Sequence, residues 1–438
     1  MLKRLLCLVA VTGMLLSLLT GCSDITGSPR ELLRAPKATG DMGEIQTALY
    51  KYAGNGITFK YPRNGDNRSA FMLSDLDSDG VREAVAFYSV PDTAEADAVH
   101  VNIIDRIDGE WKSTADVVTV GNAIDKVAVA DISGKGAFTL LVGVELFSSI
   151  GNRLNLYDYD GEKLTQQVQE NYTSFMVCDL IGNKGNQLVL FSLNTADRVS
   201  EVKMYTFDGE AIELRGKVNT DGNISGYAQI KVGKLASGQP AIYIDANKSS
   251  VATVTDVVYY RDGRLVSPFF DQTIGETQIT LRNTNELSTD IDGDGSADIP
   301  FTEILPGYAS RSESDRMYLT SWKSFNGSHF TDLIRGDFFY DGGYRLEFPD
   351  GWVGNVTLVT DTGNRMRSYR IWDPVMQTTG SELLRIRVYD AENFDSIDTS
   401  GIIELARNET TVWAARIVAS EGEYALDEAT VRKLFSRL

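Results

Sequence analysis

The sequence is poor in the side chains that most enzyme chemistry needs. Its 438 residues include 2 His and 3 Cys. His100 lies in AVHVNII and His329 in NGSHFTDL, and two isolated imidazoles cannot assemble a zinc site. There is no G-x-S-x-G, no H-E-x-x-H and no phosphate-cradling glycine loop followed by Lys. Clustered Lys and Arg are also missing: 42 basic residues face 61 acidic ones, for a formal charge of −19. A chain this acidic is excluded as a nucleic-acid binder, which needs basic clusters to displace counterions. It is equally unsuited to anionic lipid headgroups. The 42% hydrophobic and 10% aromatic content nevertheless allows real cores to be buried, so this is no disordered acidic polymer.

One long hydrophobic run stands at the start. Met1-Leu2-Lys3-Arg4 is a short cationic region, followed by LLCLVAVTGMLLSLL and then Leu19-Thr20-Gly21-Cys22. A positive start and a short apolar stretch fit a cleavable export signal over residues 1–21 better than a membrane span. The last four residues resemble a bacterial lipobox, with Leu at −3, Gly at −1 and Cys at +1. That resemblance implies that Cys22 carries a diacylglycerol and an N-acyl chain and anchors the exported protein to the outer face of the cell membrane. Residues 22–40 hold two prolines and few apolar residues and read as a tether, about 60 Å long if fully extended. Removing residues 1–21 leaves 417 residues, with 40 basic against 61 acidic and a charge of −21. It also removes Cys7, and with Cys22 acylated only Cys178 remains, so no intrachain disulfide can form. Cys178 sits in the apolar run SFMVCDL and reads as a buried small hydrophobe.

A period of about 54 residues runs through the middle of the chain. Five segments share an apolar strand, a turn with Asp or Gly, and a second apolar strand: they begin at Phe71, Val127, Phe175, Ala228 and Glu286. Their glycines, Gly80, Gly136, Gly185, Gly238 and Gly295, are spaced 56, 49, 53 and 57 apart. In phase with them come five hairpin signals at Asp108-Gly109, Asp160-Gly161, Asp208-Gly209, Asp262-Gly263 and Asn326-Gly327, dipeptides that supply the positive φ angles of tight turns. Four strands per repeat, repeated radially, predict a mainly β fold: a β-propeller of five to seven four-stranded blades over 57–337. Runs such as EAVAFYSV and FTLLVGVEL are apolar on both faces, as strands packed between two blades must be. Residues 57–70 are candidates to close the ring with the C-terminal end of the array. Before them, Ile45, Ala48, Leu49 and Tyr52 at helical spacing predict a short helix within 41–56, with Asp41 and Glu44 as a capping pair.

Two of the five turns are dense in carboxylates. Asp75, Asp77, Asp79 and Glu83 take positions 1, 3, 5 and 9 of a loop with Gly80 at 6; Asp290, Asp292, Asp294 and Asp298 do the same around Gly295. Alternate carboxylates on a turn that bends at a glycine can converge on one hard cation, which points to one or two structural Ca2+ ions. The same acids could serve only as solvated turn formers. The other turns have lost the pattern: Lys135 stands at position 5 of the second, Ile181 at position 3 of the third, and the fourth begins at Gly233 beside Lys234. The D-x-D-x-D-G-x-x-[DE] turn opening each blade is similar to the FG-GAP or VCBS-type repeat of integrin-like propellers and bacterial surface proteins, although the Phe-Gly and Gly-Ala-Pro elements that name it are absent. The resemblance implies a calcium-stiffened propeller whose faces bind something, and no reaction.

From about Phe338 the period stops. Alternating Tyr344, Leu346 and Phe348, the strands LLRIRVY and TTVWAARIVA, and a final helix with Asp427 as N-cap and Leu426 and Val431 as a hydrophobic staple predict a small α+β domain over 338–438. Its F-P-x-x-W turn and final helix resemble the small C-terminal domain of lipoproteins from Firmicutes-type bacteria. The expected function is therefore non-catalytic: a lipid-anchored cell-envelope scaffold that binds a protein or a glycan. The alternative is an extracytoplasmic polysaccharide hydrolase or lyase with carboxylates at the propeller channel.

Overall fold

The computed structural model describes residues 40–91, 98–134, 136, 138–146 and 151–438. Cys22, the export signal, the tether up to residue 39 and Lys135 lie outside the described residues. Among the described residues no helix is long and apolar enough to cross a membrane.

The chain opens with helix α1 (Asp41–Ala53) and then forms propeller-type antiparallel sheets. The first blade contains β1 (Thr58–Phe59), β2 (Phe71–Ser74), β3 (Glu83–Ser89), β4 (Ala98–Ile107) and β5 (Glu110–Val120). The second is β6 (Ala123–Ala130), β7 (Thr139–Glu145), β8 (Asn152–Tyr159) and β9 (Leu164–Tyr172); the third is β10 (Ser174–Cys178), β11 (Gln187–Asn194), β12 (Val199–Phe207) and β13 (Ile212–Thr220). The fourth is β14 (Gly226–Lys234), β15 (Pro240–Asn247), β16 (Thr253–Arg261) and β17 (Arg264–Val266). In these three the strands pair strictly in chain order, up and down. After a small ladder of β18 (Phe270–Asp271) and β19 (Glu276–Thr277), the fifth sheet runs β20 (Ile299–Ile304), β21 (Tyr318–Phe325), β22 (Phe330–Phe339) and β23 (Tyr344–Glu347). A sixth sheet holds β24 (Val356–Asp361), β25 (Met366–Asp373), β26 (Thr378–Asp390), β27 (Ile403–Arg407) and β28 (Thr411–Ile417), with α2 (Ala391–Phe394) after β26 and α3 (Glu428–Leu434) after β28. The last strand, β29 (Phe435–Arg437), returns to pair with β23 in the fifth sheet.

The central strands explain the stack. Because successive side chains point to opposite faces, β7 sends Leu140, Val142 and Val144 toward Val85 and Phe87 of the first blade, and Leu141 toward Leu188 and Leu190 of the third. Likewise β11 turns Val189 and Phe191 to Ile242 and Ile244 of β15, while Ala241 and Tyr243 face Ile299 and Phe325 of the fifth sheet. Leu319, Tyr344 and Leu346 then pack on Leu358, Tyr369 and Ile386 of the sixth. The fourth strands β9 and β13 lie at the rim, and their interiors are largely exposed.

Several expectations change at the ends of the array. Thr58–Phe59 pairs with β3 of its own blade, and Asn64 bridges to Lys126 of the second blade, so 57–70 does not join the C-terminal end. The first blade's other face, Ala84, Ala86 and Tyr88, is covered by α1 through Ile45, Ala48 and Leu49. Small residues on the strand leave room for the helix. Tyr52 is 56% exposed, and α1 starts at Gly40 with no side-chain cap, so Asp41 and Glu44 do not pair as a capping box. At the other end Asp427 does cap α3, accepting from Thr430 N at 2.8 Å, but the helix stops at Leu434 because Phe435 is drawn into β29. Of the five hairpins, only Asp108-Gly109 and Asp262-Gly263 have both residues at positive φ. At Asp160, Asp208 and Asn326 the loop has four residues, and the side-chain oxygen closes it by accepting two backbone N–H groups.

If α1 is part of the core, Leu49→Ala should cost about 2–5 kcal/mol of unfolding free energy. Lys51→Ala, on the exposed side, should cost less than about 0.5 kcal/mol. Urea denaturation measures both, and equal small effects would show the helix to be dispensable.

Candidate metal loops and the cavity beside the fifth blade

The first acidic loop joins β2 to β3. Asp75 Oδ2 accepts from Gly80 N at 3.1 Å, Asp77 Oδ1 from Asp79 N at 3.2 Å and Asp79 Oδ1 from Val81 N at 2.7 Å, with Ser78 and Gly80 at positive φ. These bonds turn the three carboxylates inward, and one oxygen each from Asp75, Asp77, Asp79 and Glu83 lies within 4.8 Å of all the others. Glu83 is fully buried at the head of β3: its Oε2 accepts from Leu76 N at 2.6 Å, while its Oε1 and Asp75 Oδ1 have no hydrogen-bond partner. Burial, reinforced by Asp77, Asp105 and Asp75, pushes the Glu83 carboxyl up to about 7 against the pull of the Leu76 amide. A buried carboxylate with an idle oxygen among other acids is costly unless a proton or a cation joins it.

The fifth loop repeats this plan. Asp290 accepts from Gly293 N and Gly295 N, Asp292 from Asp294 N and Asp294 from Ser296 N. Asp290, Asp292 and Asp294 converge within 4.8 Å, and Asp298 is not part of that tight group. It is fully buried, accepts from Ile291 N at 3.0 Å and leaves Oδ1 without a partner, so it stands where Glu83 stands but one methylene shorter. Burial first, and then Asp292, Asp294 and Asp290, push its carboxyl up to about 6.

The acid-poor loops show which part is structural and which is specific. In the second, Asp131 Oδ2 accepts from Gly136 N at 2.9 Å; in the third, Asp179 Oδ2 accepts from Lys184 N at 2.7 Å. The first-position Asp therefore ties the turn to its sixth amide with or without other acids. In the third loop that sixth residue is Lys184 at φ 67, one place before Gly185. At its ninth position stands Gln187, in register with Glu83. Its Oε1 accepts from Leu180 N and Ile181 N, and its Nε2 donates to Gly185 O at 2.8 Å. The amide nitrogen does internally what a cation would do beside Glu83. Spacing of eight residues from the first Asp was the signal for Gln187 in the sequence. The fourth loop is a tight turn closed by Gly238 N to Leu235 O.

A second feature was not legible in the sequence. Between the fifth and sixth sheets lies a cavity of about 600 Å³, with Glu286, Arg316, Tyr318, Trp322, Phe338 and Arg367 among its walls. These come from four separated segments with no local motif. Two carboxylates belong to it, and both are occupied. Asp337 binds Arg367 through Oδ1 and accepts from Tyr369 Oη at 2.7 Å through Oδ2. Glu286 accepts from Thr320 Oγ1 at 3.1 and 3.2 Å and from Thr284 Oγ1 at 3.3 Å. Elsewhere His100 Nδ1 pairs with Asp116 Oδ2 at 2.8 Å beneath α1, and His329 lies in an exposed hairpin. Burial pushes the Cys178 thiol up to about 11, as for an inert packed residue.

No family model and no curated protein matches the chain. Among solved structures it is similar to a rhamnogalacturonan lyase of Bacillus licheniformis, with 12% identity and a TM-score of 0.30, over 56% of this chain and 58% of that one. It is also similar to a periplasmic gluconolactonase of Pseudomonas aeruginosa, with 13% identity and a TM-score of 0.28, over 73% and 86%. The β-propeller domain of the trilobed protease of Pyrococcus furiosus gives 8% identity and a TM-score of 0.28, over 73% and 89%. Likeness this distant says nothing about activity.

Two outcomes follow for the loops. Glu83→Gln should give the first loop the self-satisfied arrangement of Gln187, raising the metal-free thermal midpoint and removing part of any calcium-induced rise. A variant that keeps the full calcium response would remove Glu83 from the site. Separately, both raised carboxyls hold a proton more tightly in the fold than in the unfolded chain. Without cation their contribution is fully present below the unfolded carboxyl pKa of about 4 and is lost as pH rises through about 6 to 7. Calcium's effect on the midpoint should therefore grow between about pH 5 and pH 8, and a pH-independent increment would show that neither acid is involved.

Proposed function

We propose that this protein is an exported, lipid-anchored, non-catalytic binding protein of the cell envelope, built on calcium-stabilised blades of the FG-GAP or VCBS type. The observation that carries the calcium part is the buried Glu83 Oε1, without a partner, in a cluster with Asp75, Asp77 and Asp79. Those four residues would hold one ion; Asp290, Asp292 and Asp294, backed by Asp298, would hold the second. The bound cation would supply charge compensation, and the chain's own part is to hold the carboxylates through the amides of Gly80 and Gly295. Cys22 would carry the lipid and hold the scaffold on the outer membrane face, where it meets a protein or glycan partner.

The rival, a polysaccharide hydrolase or lyase, needs a carboxylate free to move a proton or attack. The cavity does set Glu286 and Asp337 beside Trp322, Phe338 and Tyr340. However, Asp337 has both oxygens engaged, and Glu286 is held by hydroxyls. This supports binding over turnover.

At free calcium of about 100 Kd each filled site adds about 2.7 kcal/mol, which for a chain of this length is a rise in midpoint of about 3 °C. Chelator should reverse it, and an unchanged midpoint in both conditions would remove calcium from the reading. For location, wild type should sediment with membranes and Cys22→Ser should be released; equal partition would overturn the anchor. New reducing ends from acidic polysaccharide that vanish in Glu286→Gln would establish the rival.

A further inference from the structure

The cavity between the fifth and sixth sheets has a chemistry that the calcium loops do not explain. Its walls are mainly apolar and aromatic: Leu287, Ile291, Met317, Trp322 and Phe338, with Tyr340 stacked on Phe338 at 6.5 Å between ring centroids. Against that background stand hydrogen-bond donors with nothing to bond. Arg316 Nε, Tyr318 Oη, Trp322 Nε1 and Arg367 Nε are all buried without a partner, and all four residues line the same cavity. Trp322 is 2% exposed, so water does not compensate its N–H from outside. Buried donors without acceptors are rare in folded proteins, because each loses its hydration and gains nothing in return. Several along one cavity wall point to a guest that brings acceptors.

The charges specify that guest further. Of the two cations in the wall, Arg367 is bound to Asp337. Arg316 makes no ion pair among the described residues, and only its backbone N–H is engaged, with Glu313 O at 3.4 Å. Glu286 and Asp337 are already held by hydroxyls and by Arg367, so neither is available to recognise a cation. A cavity of about 600 Å³ is in the range of small-molecule sites and well below what a folded partner would need.

We propose that this cavity binds a small organic anion: an apolar, ring-sized body against Leu287, Met317 and Phe338, with a carboxylate or similar acidic oxygen group at Arg316 and Tyr318. The site shares Ile291 with the fifth acidic loop but uses none of that loop's carboxylates, and it adds a small-molecule ligand to the macromolecular partner proposed above. Arg316 supplies charge and direction; the tyrosine and tryptophan donors add acceptor selectivity over a merely greasy pocket.

The test uses the full chain and three probes that share one apolar body: 2-naphthoate, 2-naphthamide and 2-naphthylmethylammonium, each titrated by calorimetry. 2-Naphthoate should bind at least about tenfold tighter than the other two. Arg316→Gln should lower 2-naphthoate to the affinity of the amide while leaving the amide unchanged, which also reports that the variant cavity is intact. Tyr318→Phe should weaken 2-naphthoate by a smaller factor. Equal binding of all three probes would overturn the proposal, since the cavity would then be reading only apolar surface. Failure of all three to bind would overturn it as well, and a naphthoate preference that survives Arg316→Gln would place the anion elsewhere.

Discussion

Everything in this fold follows from strands that are apolar on both faces. In β3 and β7 every residue or nearly every residue is buried, and adjacent side chains serve different neighbours. Fully burying a Val, Leu or Phe contributes roughly 1.5–3 kcal/mol, so a blade with one naked face would forfeit several such contributions. No blade can be the last without a cover. The array meets this requirement differently at its two ends: a helix lies over Ala84, Ala86 and Tyr88, and a sheet of another topology lies over Leu319, Tyr344 and Leu346. The helix and the C-terminal domain are thus requirements of the stack, which is why the final strand β29 is built into the fifth sheet.

With the stack fixed, the turns between the first and second strands become places where small changes in sequence have large local effects. The Asp at position 1 always secures the sixth amide, so backbone shape is settled before any ligand is considered. What differs is the residue eight places on, because it sits at the buried head of the second strand. Gln187 brings both acceptor and donor and closes the loop alone. Glu83 and Asp298 bring acceptors only, and burial makes their charge expensive. Two loops on one plan therefore leave a buried carboxylate oxygen without a partner, while a third satisfies its own.

The sequence made the regular part of this molecule legible and left the irregular part hidden. Strand pairs, hairpins and acidic loops all show as periodic patterns, since each is written in residues a few places apart. The ring-closing role expected of 57–70 failed for the opposite reason: Asn64 finds Lys126 in the next blade, a contact with no local signature. Val431, Leu434 and Phe435 keep helical spacing in the sequence, yet α3 ends at Leu434 because Phe435 pairs with Leu346 across the sheet. Tertiary pairing overrides local periodicity where a strand edge is waiting to be filled.

The same logic explains why the cavity lies where it does. In the second to fourth blades a full first strand covers the edge of the second; in the fifth it shrinks to a single bridge between Thr289 and Asp298. The chain from Thr284 to Ile291 is thereby freed from the ladder to form a wall. Arg282 holds that wall from behind, fully buried, bonded to Asp245 at 3.0 Å and to the carbonyl of Glu286 at 2.5 and 2.8 Å. A buried ion pair such as this is a poor source of net stability, since desolvation offsets most of the Coulomb gain. Its geometric demand is strict, however: it fixes an irregular segment that no ladder holds, at the one blade where regularity has been given up. Functional variety in a repeat fold is expected at such a break, because elsewhere every face is committed to a neighbouring blade.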